Sequence, residues 1–296
     1  MERRSYLENG RFPIITFNNH IERRKEIHTM TCDGKIALVT GCTNGIGQAT
    51  LYKLLEEGAD VYMLVRRVEY GKELAKETEG KYPGRVRKVI YFDCNELESI
   101  SAAITEAYED AGRIDIFVNN AIGGPTMSPN NTTVTETTHE TCMGLMEGIL
   151  GVSAECAHVI IPLMIKGGGG SIVNVSSSTG IQPDVTRTYY GVAKAALNFL
   201  TQQIAVQYGR QGIRCNAVLP GFTVSQATAQ ALPESFKEAW MKHTLIRRLG
   251  DPRDQANAIV FLASDESSWI TGHLMEVCGG YGLAAPMFGD IMEPVQ

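Results

Sequence analysis

The sequence predicts an α/β fold built on a doubly wound parallel sheet. Short apolar, strand-like runs alternate with helical patterns from residue 34 onward. Glycine and polar signals fall just after the ends of those runs, the edge where such sheets bind ligands. With 296 residues, 44% hydrophobic and 20% charged, the chain has the composition of a globular protein with one large domain or two small ones.

Composition also excludes several classes. A net charge of -6 leaves no basic patch for nucleic acid, and no helix sets a row of Lys and Arg opposite an apolar face, so neither a nucleic-acid nor a membrane partner is expected. The seven cysteines (Cys32, Cys42, Cys94, Cys142, Cys156, Cys215, Cys278) are odd in number and never spaced as CxxC. They read as small buried residues in a reducing, cytoplasmic compartment. The six histidines make no paired ligand spacing, so no metal site is expected.

Residues 1 to 33 form a polar leader around one short apolar run, Phe12 to Phe17, with Met30 as an alternative start. It reads as a flexible arm or as an arm on a neighbouring subunit, and nothing in it is long enough for a signal core or a membrane span. The first strand is Ile36 to Thr40, followed at once by Gly41, Cys42, Thr43, Asn44, Gly45, Ile46 and Gly47 and a helical pattern to Glu57. Glycines let the backbone turn tightly and let a pyrophosphate approach the helix N-terminus, whose free N–H groups favour anions. The second strand, Asp60 to Val65, ends in Arg66 and Arg67 where a dinucleotide site meets the adenosine ribose. An NAD-preferring site puts a carboxylate there, whereas a guanidinium fork matches a 2′-phosphate, so NADP(H) is expected over NAD(H). The competing reading is a pair of solvated arginines closing a strand.

A third strand, Val86 to Phe92, ends in Asp93, suited to an adenine amino group; after a helix from Glu96 to Ala111 comes Ile114 to Val118, then Asn119, Asn120 and Ala121. Met143 to Ile165 is helical and nearly uncharged, which predicts burial by the sheet and by a second subunit, or wholly within the chain. Strand Ser171 to Val175 delivers Ser177, and the next helix carries Tyr190 and Lys194. Strand Ile213 to Leu219 leads to Pro220, Gly221, Thr223 and Ser225, opening a stretch to Leu249 that reads as a substrate loop, about 221–249. A helix from Pro252, strand His273 to Val277 and a tail with Tyr281, Met287, Phe288, Ile291 and Met292 complete the chain; the tail is expected to pack over the cleft or on a partner.

Tyr190 and Lys194 are four residues apart, so on a helix they share a face. A free tyrosine titrates near pH ~10. A cation beside it favours the phenolate, and a serine hydroxyl nearby holds a carbonyl or alcohol oxygen against it. The pair alone also fits an ordinary amphipathic helix; the surrounding motifs favour the chemical reading.

From Asp33 to Gly282 the chain closely resembles the classical short-chain dehydrogenase/reductase family. Gly41, Gly45 and Gly47, the asparagines, Ser177, the Tyr190/Lys194 pair and the Pro220–Gly221 turn all stand in family order and spacing. The resemblance implies a single Rossmann domain over 34–282 with a seven-stranded sheet in three layers, between the 1–33 extension and a 283–296 tail, commonly assembled as a tetramer or dimer through long helices. It implies that Tyr190 is the acid/base, that Lys194 lowers its pKa and bonds the nicotinamide ribose, and that Ser177 polarises the substrate oxygen. Gly41, Cys42, Thr43, Asn44, Ile46, Asp93, Cys94 and Asn120 would line the dinucleotide, with Pro220, Gly221 and Thr223 beside the nicotinamide. Two positions depart from the family. Ile122 stands where a glycine is usual, with Gly123 and Gly124 displaced by one, and Ile149 stands where a proton-relay asparagine is usual, with Glu147 as a substitute or a solvated residue.

The expected function is NADP(H)-dependent interconversion of a secondary alcohol and a ketone on a bulky apolar substrate such as a hydroxysteroid or bile acid. The alternatives are a 3-oxoacyl carrier reductase, for which Arg247 and Arg248 are the one basic hint, and a non-catalytic cofactor-binding homologue.

Overall fold

β1 (Ile36–Thr40) forms where five β-prone or small residues leave no polar side chain unpartnered on either face: Ala37 and Val39 face one core, Leu38 the other, and the Thr40 hydroxyl donates to the Val118 carbonyl at 3.3 Å. The computed structural model describes residues 30–124, 133–183, 185, 187–225, 230 and 232–284. The leader to residue 29 with its Phe12 to Phe17 run, the tail from residue 285 with Met287, Phe288, Ile291 and Met292, and residues 226–229 and 231 of the substrate loop lie outside them.

Seven strands form one parallel sheet in the order β3-β2-β1-β4-β5-β6-β7. They are β1, β2 (Asp60–Val65), β3 (Val86–Tyr91), β4 (Ile116–Asn119), β5 (Gly170–Val175), β6 (Ile213–Pro220) and β7 (Leu274–Val277). The order reverses between β1 and β4, and that switch point opens a crevice at the carboxyl edge. Helix α1 (Gly45–Glu56) packs on one face with the late helix that begins at Pro252; α3 (Leu97–Ala111) and the segment Val152–Lys166 pack on the other. This is the predicted three-layer architecture.

Four elements differ from the sequence reading. Helix α2 (Val68–Glu79) was not anticipated, because its buried stripe is Gly71, Leu74 and Thr78, with one strongly apolar member. β4 starts at Ile116 rather than Ile114, since the Asp115 carboxylate accepts the Ile36 N–H at 2.7 Å and closes the strand start. The long apolar helix starts earlier, as α4 (His139–Met146) capped by the Thr138 hydroxyl, passes through a π turn at Glu147–Gly151, and continues as α5 (Val152–Lys166). Among the described residues this run is the one long and apolar enough to cross a membrane, and here α5 lies against α3 and β4 as a core helix. Lastly, the expected substrate loop contains α7 (Glu234–Lys242).

Helix α6 (Thr188–Tyr208) carries Tyr190 in its first turn. The final helix, α8 (Pro252–Ala263), starts with a capping box between Asp251 and Asp254.

Candidate active site

A cavity of about 1060 Å³ lies over the carboxyl edge of the strands. Its β1–α1 side is a cradle of backbone. Gly41 has φ of +65°, a region that side chains avoid, and a Cβ on Gly47 would overlap the Gly41 carbonyl. The Asn120 amide donates to the Thr40 carbonyl at 2.9 Å and the Gly41 carbonyl at 3.2 Å, so β4 holds the glycine turn in place. The α1 N-terminus, with no acidic residue in its first turn and no side-chain cap, presents free N–H groups to the cavity.

Of the residues singled out in the sequence, the cavity is lined by Gly41, Thr43, Asn44, Ile46, Gly47, Arg66, Arg67, Asp93, Cys94, Asn120, Ser177, Tyr190, Lys194, Pro220, Gly221 and Thr223. Cys42, Gly45 and Ser225 fall off that lining. Cys42 is 0% exposed and turned into the core, where burial pushes its thiol up to about 12. Asp93 is engaged locally, its Oδ1 accepting the Asn95 N–H at 3.0 Å. Arg66 and Arg67 are both exposed, and the Arg67 guanidinium lies over the Tyr70 ring at 4.9 Å.

At the other end, the end of β5 and the start of α6 converge. The Ser177 oxygen accepts the Thr179 N–H at 3.2 Å and the Thr179 hydroxyl at 2.8 Å, which frees its own proton for a third oxygen. The Ser177 hydroxyl pulls the pKa of the Tyr190 phenol down. Lys194 is 2% exposed, and its ammonium donates to the Val175 carbonyl at 2.7 Å. Burial brings Lys194 down to about 7. Burial also holds the Tyr190 phenol above its ordinary value, against the Ser177 hydrogen bond and the charge of Arg187, which pull it down. Loss of water is the leading influence on both groups.

The two departures from the family pattern meet in space. Ile122 lines the cavity at 38% exposure, and beyond it the Gly123 N–H donates to the Gly148 carbonyl at 2.8 Å. A side chain at Gly148 would collide with Gly123, so a glycine in the π turn is what lets this loop rest on the helix. Ile149 is 1% exposed and packs with Ala193 and Leu197 beside Tyr190, giving that wall an apolar surface. Glu147 is exposed, off the cavity lining, and folds over Gly151; the solvated alternative describes its place. Behind this wall a buried chain, Ser153–Asn119–Asn174–Thr201, links α5, β4, β5 and α6 through hydrogen bonds of 2.9 Å.

The outer wall is aromatic. Phe222 stacks on Trp240 at 4.8 Å, and Trp240 meets Tyr281 at 5.0 Å. Thr179, Gln182 and Arg187 also line the cavity and were not singled out in the sequence. Their position between a strand end and the next helix was the available signal.

A sheet with this switch point, a glycine cradle at a helix N-terminus and a serine–tyrosine–lysine cluster define a dinucleotide-dependent oxidoreductase. The family model described as enoyl-(acyl carrier protein) reductase matches residues 41–282. The chain is 40% identical over 258 residues to the 7alpha-hydroxysteroid dehydrogenase of Clostridium sardiniense, covering 87% of this chain and 97% of that one. It is 35% identical to the 3-oxoacyl-[acyl-carrier-protein] reductase of Thermotoga maritima, covering 85% and 99%. Among solved structures it is similar to a 7 alpha-hydroxysteroid dehydrogenase complexed with NADH and 7-oxo glycochenodeoxycholic acid (TM-score 0.74, 28% identity, 86% and 96% coverage). It is also similar to L-sorbose reductase of Gluconobacter frateurii complexed with NADPH and L-sorbose (TM-score 0.78, 28% identity, 87% and 100% coverage). The chain belongs to the short-chain dehydrogenase/reductase family and is an NAD(P)-dependent oxidoreductase acting on CH–OH groups.

Proposed function

We propose that the chain is an NADP(H)-dependent dehydrogenase of a bulky, apolar secondary alcohol of the hydroxysteroid or bile-acid class, with a place in steroid metabolism. The observation that carries this reading is one cavity with exposed Arg66 and Arg67 at one end, Ser177, Tyr190 and Lys194 at the other, and a wall of Phe222, Trp240 and Tyr281 between substrate and solvent. Flat aromatic faces suit a rigid polycyclic ligand. The hydroxysteroid dehydrogenase relatives support the substrate class.

The glycine cradle would hold the pyrophosphate and Lys194 the nicotinamide ribose. The nicotinamide supplies or takes up the hydride; the protein supplies orientation and the proton. In the reducing direction, Ser177 donates a hydrogen bond to the ketone oxygen while Tyr190 passes it its phenolic proton, giving the alcohol and a phenolate that is reprotonated from solvent. A 3-oxoacyl carrier reductase needs a basic docking surface, and here the Arg248 guanidinium is held by both carboxylate oxygens of Asp254, at 2.6 and 2.8 Å, which leaves Arg247.

We further read the protein as a cytoplasmic homo-oligomer, tetramer or dimer, supported by seven free cysteines and an exposed apolar stripe on α6, where Val192, Phe199 and Val206 recur every seven residues. The test is steady-state NADPH and NADH oxidation against 7-oxo bile acids and smaller ketones, with wild type beside Arg66→Ala. Charged hydrogen bonds to a 2′-phosphate are worth roughly 1.5 to 3 kcal/mol, so wild type should prefer NADPH about tenfold or more and the variant should lose most of that. Equal use of NADH by wild type overturns the cofactor reading, and activity on small ketones alone overturns the substrate class.

A further inference from the structure

Helix α8 buries Gln255, Ala256, Ile259, Val260, Leu262 and Ala263, so its inward stripe is apolar apart from one amide. Packing alone would accept another aliphatic residue at that place, and a buried amide costs free energy unless its hydrogen-bonding groups are used. Gln255 is 1% exposed. Half of its amide is accounted for: the Nε2 group donates to the Val277 carbonyl at 2.8 Å and to the Thr223 hydroxyl at 3.1 Å, tying β7 to the turn after β6. A carbonyl can only accept, which settles the orientation of the amide. The Oε1 atom is buried and has no donor among the described residues.

Gln255 lines a second, smaller cavity of about 130 Å³ beside the large one. Phe222, Trp240 and Tyr281 line both, so the aromatic wall is a partition one side chain thick. The volume is well above the ~10–15 Å³ that a single water needs. The threonine hydroxyls on the lining have given their protons away, Thr223 to the Gly221 carbonyl at 3.2 Å and Thr244 to the Trp240 carbonyl at 2.8 Å. The cation on the lining, Arg248, is held by Asp254. Buried acceptors therefore outweigh buried donors here, which suits a ligand group that donates, such as a hydroxyl, over a carboxylate or a phosphate.

We propose that this cavity is a second compartment of the substrate site, reached by displacement of Trp240, and that Gln255 Oε1 receives a hydroxyl group of the substrate there. The proposal rests on the reading of the larger cavity as the site of a polycyclic alcohol or ketone. Gln255 is then a specificity residue acting away from the reacting carbon. Both of its amide protons are spent on the protein, so the oxygen is held in place before the ligand arrives.

The chain has two tryptophans, Trp240 in the partition and Trp269, which is 99% exposed. Trp269→Phe therefore makes Trp240 the sole tryptophan reporter. Its emission is titrated with 7-oxocholanoates bearing no ring hydroxyl, one or two, in the presence of oxidised dinucleotide so that no turnover occurs. One added hydroxyl should tighten Kd about fivefold or more. Gln255→Met on the same background should bind all three alike, close to the value of the ligand without a ring hydroxyl. Gln255→Glu, which keeps an acceptor oxygen, should retain the preference, and its loss there overturns the role of Oε1. Equal binding of all three ligands with Gln255 intact overturns the proposal and means that the compartment takes water alone. A weakening in Gln255→Met shared equally by all three overturns it too, marking Gln255 as a support for the Thr223 turn. Binding of none of the three overturns the steroid reading, and the compartment falls with it.

Discussion

The two ends of the cavity are built from different materials. The end proposed to hold the dinucleotide is mostly backbone, a glycine turn and a helix N-terminus, with exposed arginines at its rim. The chemical end is side chains withdrawn from water: Lys194 sits at 2% exposure, and burial is the leading influence on both Tyr190 and Lys194. At the first end, the proposed recognition would depend on shape and on solvent-screened charge. At the second, removal of water sets the protonation states, so small changes there have larger effects.

The largest contrast is expected from Tyr190→Phe. Loss of a positioned proton donor costs about 10² to 10⁴ in turnover, and nucleotide binding, measured by fluorescence titration, should be nearly unchanged because the cradle lies elsewhere. If binding collapses as well, the two ends are not separable.

Lys194→Met sharpens the comparison through stability. A lysine lowered from 10.5 to about 7 by burial destabilises the fold, fully so below pH ~7. That penalty fades as pH rises from about 7 toward 10.5, because between those values the unfolded chain binds the proton and the folded one does not. The variant should therefore be more stable than wild type, by roughly 3 to 5 kcal/mol below neutrality, with the gap closing as pH rises. Denaturant melts at pH 6 and pH 10 read this directly, and a gap that does not shrink would mean that the ammonium is better solvated than its burial implies.

The smallest effect is assigned to the dinucleotide rim. Arg67 is partly committed to the Tyr70 ring, so Arg67→Ala should lower the NADPH-to-NADH ratio of kcat/KM by about threefold, below the effect of Arg66→Ala. Equal losses would show that both guanidinium groups reach the phosphate.

That contrast also explains what was legible beforehand. All seven strands and the glycine turn were readable, because runs such as Ile36–Thr40 and Ile213–Pro220 are buried on both faces and bounded by glycine or proline. The family membership followed from the spacing of Ser177, Tyr190 and Lys194. Three things were not readable. α2 hides its stripe behind Gly71 and Thr78. The π turn at Glu147–Gly151 leaves no local signature, since one turn of wider hydrogen bonding uses the same residue types as an α-helix. The balance of burial against charge at Tyr190 is a property of the assembled cavity, which spacing alone does not reveal.

The bond from the Gly123 amide to the Gly148 carbonyl has a mechanical consequence. A loop at a strand end ordinarily moves on its own, but this one is fastened to the middle of a long core helix. The inner wall of the cavity shares the stiffness of that helix. Adjustment to differently shaped ligands is then expected of the aromatic wall, where Phe222 and Tyr281 both meet Trp240 from separate segments.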